Sequence, residues 1–218
     1  MIIFLFLITL NPFYDGNFTS RCQSATAVFE NPSGLGYNPI LEEMIAFHRD
    51  SIVNSLCLKG VGLGVIKRDS SWTAEAGLGF KLPGAFSLGY AFQFPIKGNL
   101  NKTHSLGVGC RPNNELALGL KTTLAKIKLL HGGASIMPVG DHLVLSADCE
   151  YEGTTGMFRY YLGCMIRQGE YINVNFHADD EFNWTVGLGL GYSRFRVAAV
   201  YTRDRKFGIG LMVTENQP

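Results

Sequence analysis

The feature that most constrains this chain is a strict two-residue alternation over its last third. Six segments carry it: His142–Glu152, Gly156–Arg167, Tyr171–Asp179, Asn183–Tyr192, Phe195–Arg203 and Lys206–Val213. Stepping by two from Leu143, Phe158, Ile172, Trp184, Phe195 and Phe207 gives 27 positions, every one apolar or aromatic and none charged. A chain with 17% charged residues would place about 4 or 5 charges there by chance. A period of two is the signature of a β-strand with one apolar face. The other face holds Ser146, Asp148, Glu150, Glu152, Arg159, Arg167, Asn173, Asn175, His177 and Thr185, interleaved with glycine.

The glycines decide between a soluble β-domain and a membrane barrel. The chain has 26 glycines in 218 residues, about 12%, against roughly 7% in ordinary proteins. They recur at alternate positions on the polar face, as in Gly187-x-Gly189-x-Gly191 and Gly208-x-Gly210. Glycine weakens a solvent-exposed strand, but it suits the crowded interior of a closed barrel. Segments of about ten residues with alternating polarity, separated by turns, are the transmembrane-barrel pattern. Trp184, Tyr192 and Tyr201 sit at strand ends as lipid-facing aromatics of an interfacial girdle. Helical membrane spans are excluded, because the longest uncharged apolar run is Ile2–Leu10. The formal charge of +1 with scattered Lys and Arg gives no basis for nucleic-acid binding.

The same reading extends upstream through Trp72–Leu82, Phe86–Ile96, Ser105–Arg111 and Leu116–Leu124. Leu41–Arg49 and Leu56–Lys67 look like weaker strands. The second slips phase at Lys59-Gly60, as a β-bulge would make it do. Leu129–Pro138 is ambiguous. The expectation is one all-β antiparallel transmembrane barrel over residues 41–218, of about twelve strands with ten to fourteen possible. Residues 1–23 read as an export leader with an apolar stretch at Ile2–Leu10, and residues 24–40 as a plug-like segment. The five cysteines form no Cys-x-x-Cys pair, which argues against zinc and against a full disulfide framework. Cys149 and Cys164 fall on the apolar face of adjacent strands.

The last strand carries a pattern beyond alternation, and one upstream segment is not explained by alternation at all. The last strand, Lys206-x-Gly208-x-x-Leu211-x-Val213, resembles the closing signal that outer-membrane barrels present to their assembly machinery. The segment Ser24-Ala25-Thr26-Ala27-Val28-Phe29-Glu30-Asn31-Pro32-Ser33-Gly34-Leu35-Gly36, with Gly16–Ser20 upstream, resembles the opening of FadL-like and PorV-like outer-membrane barrels. The resemblance also covers His142–Val213. It implies that Asn31, Pro32, Gly34 and Leu35 form a plug turn at or inside the barrel mouth. Physically, Pro32 fixes its own φ and pushes Asn31 toward extended backbone, and Gly34 is free to take positive φ.

No nucleophile elbow, nucleotide loop or metal-ligand spacing occurs, so neither an enzyme nor a cofactor is expected. One charged group stands out. Asp148, Glu150 and Glu152 face inward on one strand, with Arg159 and Arg167 inward on its hairpin partner. They are expected to pair across the lumen wall, or else to line a polar pathway. The resemblance implies passive uptake of a small hydrophobic solute across the bacterial outer membrane. Its alternative is a PorV-like accessory that binds a secretion-system protein. A soluble β-domain binding module is the third class. In the first two the lipid bilayer is itself a partner.

Overall fold

A computed structural model describes residues 20, 25–37, 41–48, 51–98, 101–124, 129–169 and 171–214. The strands, in chain order, are β1 (Glu42–His48), β2 (Ser51–Leu58), β3 (Val61–Arg68), β4 (Ser71–Lys81), β5 (Phe86–Lys97), β6 (Thr103–Cys110), β7 (Leu116–Leu124) and β8 (Leu129–Ile136). They continue as β9 (Pro138–Asp141), β10 (Leu143–Glu152), β11 (Met157–Gln168), β12 (Ile172–Asp179), β13 (Trp184–Tyr192), β14 (Phe195–Thr202) and β15 (Phe207–Thr214). All but the short β9 close into one antiparallel barrel, in which each strand pairs its neighbours in sequence and β1 pairs β15 through Glu42↔Thr214 to His48↔Gly208.

The barrel therefore has fourteen strands, the top of the expected range, rather than twelve. The ambiguous Leu129–Pro138 stretch supplies β8. The phase slip at Lys59-Gly60 is not a bulge but a two-residue turn between β2 and β3. Both turn residues have positive φ, 46° and 88°. That is the backbone whose twist suits a tight hairpin, with lysine where Asn or Asp is usual, so the turn signal was weak. The connections between barrel strands are two to six residues long at both rims.

The apolar face of the strands is the outside. Among the described residues, 44 large hydrophobic side chains are exposed, from Leu41 just before β1 to Leu211 on β15. A soluble monomer rarely exposes an apolar patch beyond a few hundred Å², and here the patch runs round the whole wall. Tyr201, 44% exposed, lies beside Trp184 with ring centroids 6.2 Å apart, and Tyr192 is 79% exposed at the far end of β13. The free thiols of Cys149 and Cys164 lie half-buried on this outer face.

The leader expected over residues 1–23 lies outside the described residues, apart from Ser20, as do residues 38–40. The wall of an eight-stranded barrel is filled by its own side chains, whereas barrels of sixteen or more enclose an aqueous channel. Fourteen strands leave space to be filled. Ala25–Tyr37 fills part of it, as a helical turn Ala27–Glu30 followed by a 3-10 helix Pro32–Tyr37, both against the inner face of β3–β6.

Candidate functional site

The site is the plug segment and the inner wall that receives it. Asn31 ends the helical turn in extended backbone (φ −150°, ψ 106°), the conformation expected before Pro32. Its Oδ1 accepts from the Ser33 backbone N–H at 3.2 Å and the Ser33 hydroxyl at 2.9 Å, while Gly34 N–H donates to Asn31 O at 2.9 Å. The Asn31–Gly34 tight turn is thus present, and Asn31, Pro32, Gly34 and Leu35 are all buried inside the barrel. Gly34 is not among the glycines with positive φ, because the turn continues as a 3-10 helix instead of reversing. Tyr37 closes the segment: its hydroxyl donates to Ala85 O at 2.7 Å and the Arg111 guanidinium stacks 4.1 Å from its ring.

The wall is shaped to the plug by the absence of side chains. A Cβ on Gly64 would lie 2.0 Å from Phe29 Cζ, and one on Gly89 2.1 Å from the Pro32 carbonyl carbon. One on Gly107 would meet Asn31 Oδ1 at 2.0 Å, and one on Gly79 would meet the Gly36 backbone nitrogen at 2.5 Å. Glycine on β3–β6 is therefore required by close approach of the plug, its backbone at Gly79 and Gly89 and its side chains at Gly64 and Gly107, and tight curvature is not needed to explain it.

The inner wall changes character around the barrel. One register row runs Gly79↔Gly89↔Gly107↔Lys121↔His131↔Glu150↔Arg159 across β4 to β11. Three glycines lie under the plug, then four titratable side chains follow. The Lys121 ammonium donates to Phe29 O and so ties the plug to β7. Glu42 on β1 accepts from Ala25 N–H and holds the other end. In contrast, Met44, Ala46, Val53, Ile66, Ala198 and Met212 form an apolar band inside β14, β15 and β1–β3, beside the buried polar Glu42, His48, Ser51, Ser55 and Thr202, and they share one buried cluster with Ala25, Ala27, Val28, Phe29 and Leu35.

The expected carboxylate–arginine pairing needs correction. Asp148 and Glu150 are buried and inward, but Asp148 meets His131 Nε2 on β8 at 3.1 Å, on the opposite side of β10 from the arginines. Glu150 faces Arg159 in register. Glu152 lies at the end of β10 and accepts from the hydroxyls of Thr154 and Thr155, at 3.2 and 3.0 Å. Arg167 lies at the other end of the hairpin, opposite Asn173 of β12, because β10 and β11 run antiparallel. Facing alone does not fix position along a strand. The sequence does not single out His131 or Lys121: the first lies in the ambiguous stretch, and the second gives no signal beyond being a lysine at an inward position of a strand.

No protein-family model and no curated protein sequence matches the chain. Solved structures do. Omp33, an outer membrane protein of Acinetobacter baumannii, superposes with a TM-score of 0.57 at 10% identity, over 82% of this chain and 97% of that one. A triple mutant of the Rhodopseudomonas blastica porin superposes with a TM-score of 0.51 at 7% identity, over 81% and 99%. This chain has the closed antiparallel β-barrel fold of outer-membrane proteins. The likeness is one of fold and extends over nearly the full length of both neighbours.

With that fold, the two faces acquire their surroundings. The outward aromatics Trp184, Tyr192 and Tyr201 stand at strand ends, the position at which transmembrane barrels carry their aromatic girdles. The inner face bounds a lumen partly occupied by the chain's own N-terminal segment.

Proposed function

We propose that this protein resides in the bacterial outer membrane and passes a small solute across it by passive diffusion, with its lumen gated by the Asn31–Leu35 plug. The observation that carries this reading is the match between plug and wall, four glycine positions at which any side chain would overlap the plug. A segment held only as a tether needs no such bed. The solute implied by the resemblance to FadL-like barrels is hydrophobic, and displacing the plug would bare the apolar band of Met44, Val53, Ile66 and Met212 that packs in one cluster with it.

The rival, an accessory that docks a secretion-system protein, requires surface beyond the bilayer. Connections of two to six residues offer little. Planar-bilayer recording on the folded protein, with heat-modifiable gel migration as the folding control, tests the reading. The expected result is rare or small openings in the unmodified protein and larger ones when the plug is loosened. A steady, large open conductance in the unmodified protein would sink it.

A further inference from the structure

Strand β12 carries three inward polar side chains two residues apart, Asn173, Asn175 and His177. That spacing sets their Cα atoms about 6.8 Å apart along the wall. Asn175 and His177 are 1% and 5% exposed. Among the described residues, no hydrogen-bond partner meets Asn173 Oδ1, Asn175 Nδ2 or either ring nitrogen of His177. Buried polar groups are almost always satisfied, so a row of them left open points to something that binds there.

The neighbouring strand makes room for this row. A Cβ on Gly187 would lie 2.4 Å from Asn175 Oδ1, and one on Gly189 2.5 Å from Asn173 Oδ1. Both amides lie over glycines of β13, so Gly187 and Gly189 of that strand serve them and not the plug. Barrel stability alone would be better served by alanine at 187 and 189 and apolar residues at 173 and 175, which leave no polar atom open. Beyond the glycines the wall turns apolar within one register row: Asn173↔Gly189↔Ala198↔Gly210↔Ala46↔Val53. At the height of Asn173 the hydrogen-bonding strip thus borders an apolar one, whereas the row through Asn175 crosses Gly187, Val200 and Gly208 to reach His48 and Ser51. With a neutral imidazole the polar strip bears no formal charge. Arg167, opposite Asn173, already has a partner of its own.

We propose that β12 binds the uncharged polar head of an amphiphilic solute, a hydroxyl or amide group, while the hydrocarbon part lies on the inner face of β14, β15, β1 and β2. This rests on the hydrophobic-solute reading above and narrows it. The two amides and the imidazole offer both donors and acceptors, which suits a group that is itself both. A carboxylate, an acceptor only, would leave the Asn173 carbonyl oxygen unmatched.

The test uses the full-length protein in lipid nanodiscs and three photoactivatable probes of equal chain length: an alcohol, the corresponding carboxylate and a headless alkane. Labelled positions are mapped by mass spectrometry. The expected result is alcohol labelling on the inner face of β12–β15, falling about tenfold in Asn175→Ala and in His177→Ala, with alkane labelling unchanged. One hydrogen bond lost to a bound head accounts for a change of that size. Asn173→Ala carries the test if either variant fails the heat-modifiability control. Equal labelling by alcohol and alkane in all variants overturns the head-group site while leaving the hydrophobic reading intact. No lumenal labelling by any probe overturns both. Stronger labelling by the carboxylate, lost in Arg167→Ala, overturns the uncharged head.

Discussion

Asn31 Oδ1 sits where the side chain of residue 107 would begin, 2.0 Å from the position of a Cβ on Gly107. The same oxygen holds the plug turn together through Ser33. Adding one methyl group to the wall therefore attacks the turn itself.

Gly107→Ala should loosen the plug, at about 1–3 kcal/mol for overpacking an interior site. The measurement is single-channel recording alongside urea unfolding in detergent, with larger or more frequent openings expected. Gly132→Ala is the control. Gly132 lies on the outward face of β8, where a new Cβ would meet the Leu120 side chain at 3.3 Å and Gly119 O at an ordinary 3.8 Å. Equal behaviour of the two variants would remove the case for a fitted plug.

Lys121→Met should leave the Phe29 carbonyl without its ammonium donor. A hydrogen bond from a charged group contributes about 1.5–3 kcal/mol. The consequence is a plug that leaves its bed more often, read as faster thiol labelling of a Ser33→Cys reporter, whose site is 1% exposed. Unaltered labelling would mean that Lys121 does not hold the segment.

Among the inward carboxylates, position should decide the penalty. Asp148→Ala removes one partner of a buried pair with His131 and should cost about 3–5 kcal/mol, read as a lower unfolding temperature in detergent. Glu152→Ala, at a solvent-facing turn, should cost under about 1 kcal/mol. Glu150→Ala should lower the unfolding temperature more than it alters conductance. Altered conductance with unchanged stability at Asp148 and Glu150 would assign them to the solute path.

Leu162 is 64% exposed in the middle of β11, and Tyr192 is 79% exposed at the end of β13. In a bilayer, Leu162→Arg should cost about 2–4 kcal/mol and Tyr192→Arg about 0–1 kcal/mol, measured by refolding yield into liposomes. A chain that stays folded and monomeric without detergent, and becomes more soluble with Leu162→Arg, would contradict the barrel.

Alternation made the wall legible. Every strand from Trp72 onward was visible apart from β8 and the short β9, and which face carries apolar residues was clear from 27 positions without a charge. Two kinds of information were not there. A turn such as Lys59-Gly60 is defined by dihedral angles, and lysine does not advertise φ 46°. Contacts across the lumen depend on which strands face one another and at what height, so Arg167 was placed with carboxylates that lie elsewhere along the hairpin, and His131 went unnoticed as the partner of Asp148. The glycine excess was legible as a count and as a face. Its cause was not, since the plug and the β12 asparagines that need the space belong to other parts of the chain.

The fit between plug and wall also limits how such a protein can diverge. Gly64, Gly89 and Gly107 cannot each accept a larger residue alone, and neither Phe29 nor Asn31 can grow without colliding with them. Viable change here comes in pairs, a smaller group on the plug matched by a larger one on β3, β5 or β6. Among descendants of this sequence, residues nearly eighty positions apart, such as Asn31 and Gly107, should vary together, while the lipid-facing leucines drift independently among apolar types.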